Sequence, residues 1–127
     1  MYRSGYTYEV IDGQHGSAED RLKSVKVAVD ELRSAYKLVI VGGVGYTSVG
    51  SCVGVSNADV AAYLGIPVLV VGRPGVGNAI DSCVLCVEFM AARGARVIGA
   101  VFNKVRIIQY FCIKKFSAVI TLLWIFT

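Results

Sequence analysis

The residues best suited to chemistry gather in Leu38–Asn57, LVIVGGVGYTSVGSCVGVSN. Gly42, Gly43, Gly45, Gly50 and Gly54 leave backbone amides bare and permit positive φ. A four-residue apolar run leads into this loop, and Ser56-Asn57, a helix-capping pair, leads out of it. A strand, a glycine loop and a helix start, in that order, can bind an anion, because the first N–H groups of a helix lack intrahelical partners. Gly45–Gly50 has the G-x-x-x-x-G spacing of a phosphate loop, but that motif continues with Lys for the β- and γ-phosphates and Ser/Thr for magnesium. Ser51 and Cys52 stand there instead. A G-x-G-x-x-G reading also fails, since Ser48 occupies its third glycine position. A tight structural loop is the competing reading.

Other reactive types are sparse. Cys83-Val-Leu-Cys86 has C-x-x-C spacing but falls inside a predicted helix, with no second pair and no nearby histidine to complete a metal site. With Cys52 and Cys112, these are read as free thiols, and Cys83 and Cys86 as small buried hydrophobes. His15, the only histidine, lies between Gly13 and Gly16 and is expected to be solvated. MYRSGYTYEV has no apolar signal region, so the expected location is cytoplasmic.

The elements that position the loop follow from periodicity. Residues 1–16 give no more than a short strand or an irregular lead-in. Ser17 with Asp20 forms a capping box for a helix over 18–35. Leu22, Val25, Val29, Leu32 and Tyr36 line one face of it, which should cover a sheet. A strand is expected at 37–41, a helix at 58–64 ended by Gly65, and a strand at 67–71. A second glycine loop at 72–77 should precede a helix at 79–93 that stops at Gly94. Arg96–Phe102 is the third strand. Alternating helices and short apolar strands predict an α/β domain with a parallel sheet, ligands binding beyond the carboxyl ends of its strands. The loops at 42–56, 72–78 and 103–104 belong to that end.

The chain is 55% hydrophobic with a net charge of +4, enough apolar content to bury a core in a single domain. Nine basic and nine acidic residues balance over 1–103. The excess lies in Lys104, Arg106, Lys114 and Lys115, so the body presents no basic nucleic-acid surface.

Val39–Asn57, Asn57-Ala-Asp-Val-Ala-Ala, Val70–Gly77 and Gly99-Ala-Val-Phe-Asn-Lys104 together resemble the dethiobiotin-synthetase-like branch of the P-loop NTPases. That group includes cobyrinic acid a,c-diamide synthases and the amino-terminal domain of some phosphate acetyltransferases. It writes these segments as E-G-T-G-H-x-G-V-G-S near S-N-A, a glycine loop, and G-V-x-x-N-K. The match covers about 37–105. It implies a partial doubly wound, three-layer α/β domain over 1–105, and an ATP- and magnesium-dependent ligase that activates a carboxylate or carbamate as a mixed anhydride. By the same resemblance, Gly43, Gly45, Gly50 and Ser51 face phosphate and substrate, Gly75 and Gly77 line the crevice, and Asn103, with Lys104 beside it, meets the adenine.

The sequence also departs from the family. No G-x-x-x-x-G-K-[ST] occurs, the acidic magnesium ligand falls at Gly42, the loop histidine is Tyr46 and the next glycine is Ser48. Phosphoryl transfer needs positioning and charge neutralisation, which those groups supply. Without the central P-loop strand, the strands at 37–41 and 67–71 should pair directly or stand apart. The 106–127 tail, hydrophobic and basic, includes the uncharged run Phe116–Thr127. About 18 Å long as a helix, that run is too short for a bilayer core of roughly 30 Å. The tail is read as foreign to the domain, as a membrane-touching anchor, or as a strand filling the gap in the sheet.

Three functions stay open. The first is a truncated or degenerate ligase domain with residual nucleotide binding. The second is a non-catalytic interaction module with a protein partner or in a homo-oligomer. The third is a small tail-anchored protein.

Overall fold

The computed structural model describes residues 4–75 and 77–102, and the backbone of 122–124. Asn103, Lys104, Cys112 and all but three residues of the 106–127 tail lie outside the described residues. The chain divides into two units, Met1–Leu64 and Gly65–Thr127.

The first unit is helical. α1 (Tyr6–Ile11) starts on Gly5, whose φ of 87° suits a residue without Cβ. This corrects the expectation of a strand or irregular lead-in. α2 (Ala18–Ala35) has the expected bounds and the expected capping box: Ser17 Oγ accepts from the Asp20 N–H, and the Asp20 carboxylate accepts from the Ser17 N–H. α3 (Asn57–Leu64) follows the glycine loop and packs against α2, while α1 packs against a 3-10 turn at Ser51–Val53. Val10, Val29, Ala58, Ala61 and Leu64 are its buried apolar side chains.

The predicted strand at 37–41 is not formed. From Leu38 to Val44 the chain makes no helix, turn, bend or ladder, and Leu38 and Ile40 are 76% and 83% exposed. A strand is stabilised by cross-strand pairs and burial, and the first unit holds no sheet among the described residues. For the same reason the apolar stripe of α2 is only partly used. Val29 is buried, but Leu32 and Tyr36 remain exposed.

The second unit is α/β. β1 (Val68–Gly72) and β2 (Val97–Phe102) pair in parallel, and α4 (Gly77–Ala92) connects them. An irregularity after Val68 shifts the register, so Val68 faces Val97 but Leu69 faces Gly99. Val70, Ala79, Cys83, Ala100 and Phe102 form the core between sheet and helix, with Val68, Ile80, Cys86, Val87 and Val97 packed around it. Cys83 and Cys86 are thus small core hydrophobes, as read from their helical setting. Alternation then turns Leu69 and Val71 to the opposite face, where they are 50% and 68% exposed. β3 (Leu122–Trp124) pairs in parallel with β2, opposite Ala100–Phe102. The tail therefore contributes a strand, but on the β2 side of the sheet rather than in a gap beside β1.

Candidate functional site

The glycine loop of the first unit closes onto the start of α3. Asn57 N–H donates to Val49 O at 3.1 Å, and Ala58 N–H to Thr47 O at 3.2 Å. Asp59 N–H donates to Ser56 Oγ at 3.2 Å, and Val60 N–H makes the first intrahelical bond to Ser56 O. Ser56, fully buried, also donates its N–H and hydroxyl to the Asp59 carboxylate at 2.7 and 2.6 Å. This is a second capping box. The expectation of open N–H groups at this helix is thus corrected. The loop supplies the carbonyls that satisfy them.

Asn57 holds the loop from its other side. Its Nδ2 donates to Val44 O at 2.9 Å and to Tyr46 O at 2.7 Å. A Cβ at Gly43 would come into ordinary contact with the same side chain, and Gly45 takes a φ of 67°. Gly50 is buried with a φ of 100°, and a Cβ there would fall 2.0 Å from Val55 O. Ser51 commits its hydroxyl to Ser48 O at 2.7 Å. The amides of Val49, Ser51, Val53, Gly54 and Val55 also donate within the loop. Four carbonyls therefore point inward at α3 and five amides are spent locally. That geometry does not fit a phosphate cradle, which needs amides directed outward at the anion.

Arg21, which the sequence did not single out, fastens this loop to α2. Its Nη2 donates to Val53 O at 2.6 Å and its Nη1 to Gly16 O at 2.9 Å, while Nε is buried without a partner. His15 lies in the turn after α1 with its side chain 33% exposed. Its Nε2 lies 2.7 Å from Glu9 Oε2, and its ring lies tilted against Tyr6 at 4.8 Å. The bond spans six residues, a spacing that marks no motif.

In the second unit, Gly72 ends β1 against Phe102, whose ring would be 2.7 Å from a Cβ. Gly75 has a φ of 116°, and Gly77 opens α4. Burial, with Cys86 nearby, pushes the Cys83 thiol up, which makes it a poor nucleophile. No group of three His, Cys, Asp or Glu side chains gathers among the described residues. The structure therefore places Gly43, Gly45, Gly50 and Ser51 together in one loop, and Gly75 and Gly77 in another.

A family profile described as "AAA domain" matches residues 4–122. The chain is 38% identical over 86 residues to the ATP-dependent dethiobiotin synthetase BioD of Anaeromyxobacter dehalogenans, covering 68% of this chain and 38% of that one. It is 33% identical over 79 residues to the enzyme of the same name from Methanococcus vannielii, covering 62% and 37%. For that of Akkermansia muciniphila the identity is 35% over 96 residues, covering 68% and 43%. The match thus spans about two fifths of these relatives' length. No solved structure matches with significance.

Proposed function

Since the chain belongs to the AAA domain family of P-loop NTPases, we propose that it is a degenerate dethiobiotin-synthetase-like ligase domain with at most residual nucleotide binding. The observation that carries this reading is the closure of the glycine loop on α3, whose first amides already have carbonyl partners at Asn57 and Ala58 and a hydroxyl partner at Asp59. The sequence adds a reason. Gly42 stands where the family has an acidic magnesium ligand. A triphosphate beside this loop would find no carboxylate at residue 42 to hold the metal that neutralises its charge. In this reading any remaining affinity comes from Asn103 and Lys104 acting on the base and from the Gly75 and Gly77 loop, in a cytoplasmic protein.

Calorimetry of the purified chain with ATP, with and without magnesium, tests it. The expected result is no saturable heat at millimolar ATP, or weak magnesium-independent binding that Asn103→Ala abolishes. Binding that strengthens with magnesium would show a working phosphate site and overturn the proposal.

A second reading, a non-catalytic interaction module, is favoured by apolar side chains left exposed in each unit, Leu38 and Ile40 in the first and Leu69 and Val71 in the second. Among the described residues no helix is long and apolar enough to cross a membrane. The membrane-contact reading therefore rests on the 106–127 segment and predicts liposome binding lost on its deletion.

A further inference from the structure

Cys83 and Cys86 form a reactive pair that the ligase reading leaves unused. Both are free thiols on α4, three residues apart. Cys83 is 3% exposed in the core with Val70, Ala79, Ala100 and Phe102, and Cys86 is half-buried against that core. Val84 and Leu85, between them, are 44% and 72% exposed, so the two thiols share the face that meets the sheet. Cys86 is also close enough to add to the burial that pushes the Cys83 thiol up. Helix residues three apart have Cβ atoms about 5–6 Å apart, and a disulfide needs about 3.5–4.5 Å. Tightening this turn toward a 3-10 form, in which residues three apart eclipse, closes the difference.

We propose that Cys83 and Cys86 form a reversible disulfide across one turn of α4, with a small-molecule disulfide such as oxidised glutathione as the oxidant. The site goes beyond the ligase reading and does not depend on it.

Burial sets the order of the steps. Cys86, the more exposed thiol, meets the oxidant first. Its thiolate attacks one sulfur of the oxidised glutathione. That S–S bond breaks, a mixed disulfide forms on Cys86, and one glutathione leaves as a thiolate. Cys83 then loses its proton and attacks the Cys86 sulfur, which releases the second glutathione. The two protein thiols give up two electrons, one glutathione disulfide gains them, and the two protons end on the two glutathione thiols. Burial disfavours the Cys83 thiolate and slows the second step. Its position one turn from the mixed disulfide offsets this, because no encounter is needed. The bond holds a tightened turn, and strained disulfides are the easily reduced ones. Val87 packs on the core and Met90 is buried, so tightening the turn before them loosens the second half of α4.

The full-length chain with Cys52→Ser and Cys112→Ser, whose remaining cysteines are Cys83 and Cys86, tests the site. With excess oxidised glutathione it is expected to lose both thiols and the mass of two hydrogens, and dithiothreitol should restore both. Amides of residues 87–92 should then exchange about tenfold faster or more, with those of 77–82 unchanged. Adding Cys86→Ala should leave the Cys83 thiol unreacted. Retention of both thiols would overturn the proposal. So would a glutathione adduct on Cys86 that never resolves, or a cross-link between chains in place of the internal bond. A disulfide that leaves exchange in α4 unaltered would overturn its coupling to the helix. If the serine substitutions disturb the circular dichroism, peptide mapping of the oxidised wild type for a Cys83–Cys86 link decides the same question.

Discussion

Leu38–Val41 and Val68–Val71 read LVIV and VLVV, four aliphatic residues each, and each leads into a glycine loop and then a helix. Only the second is a strand. Val68–Gly72 has β2 alongside, and Val70 sits in a core shared with α4 and Phe102. Leu38–Val41 has no such neighbour among the described residues, and Ile40 is 83% exposed. The difference shows that the β preference of aliphatic residues is a preference for a pleated, half-buried surface, which a neighbouring strand must provide.

The sharpest way to break the contrast is to remove what β1 rests on. Phe102 is 2% exposed, and Phe102→Ala should cost about 3–5 kcal/mol in urea unfolding. Hydrogen exchange should then accelerate at Val68–Gly72 and Val97–Phe102, with α2 protection unchanged. The counterpart in the first unit is Gly50→Ala. It places a side chain on a left-handed residue and drives Cβ into Val55 O, at an expected loss of about 3 kcal/mol or more. Exchange should then speed up at residues 49–60 and leave the sheet protected.

Asn57→Ala should cost about 1–3 kcal/mol, since the Val44 and Tyr46 carbonyls lose a shared donor. If this variant gains magnesium-dependent ATP affinity, the loop closure is what blocks the anion.

A smaller effect is expected at acid pH. Hydrogen bonds from the Ser17 hydroxyl and N–H hold the Asp20 carboxyl below the usual carboxylate range. A group with a depressed folded value stabilises above its unfolded pKa of about 3.9 and loses that contribution as pH falls through the folded value. Ser17→Ala should therefore flatten the acid limb of a helix titration followed by circular dichroism between pH 5 and 2. The smallest effect belongs to Ile40→Ala. It should shift stability in urea unfolding by no more than about 0.5 kcal/mol. A loss near 2 kcal/mol would mean that 38–41 is packed as β1 is.

Much of the fold was legible where its determinants are local. The bounds of α2 and its Ser17–Asp20 box, the Ser56 start of α3 and its stop at Gly65, and the span of β2 all lie within a residue or two of expectation. A cap bond and an apolar stripe close over three or four residues, so spacing reveals them. α1 escaped notice because its six residues carry no stripe. It starts on a left-handed Gly5, and the Glu9–His15 contact ties it to the loop that follows. The candidate glycines were legible as a cluster, but their role was not. Glycine content announces bare amides without saying which way they point, or that Asn57, Ala58 and Arg21 would take up the carbonyls around them.

The sequence by itself determined the three longer helices, the Ser17 and Ser56 caps and the apolar character of every candidate strand, because these depend on neighbours within one or two turns of chain. The tertiary structure alone decided which apolar run became a strand and whether the first amides of α3 stayed open. The first depends on a partner strand about 30 residues away at β2, and the second on the direction of carbonyls in a folded loop, neither of which residue types encode position by position.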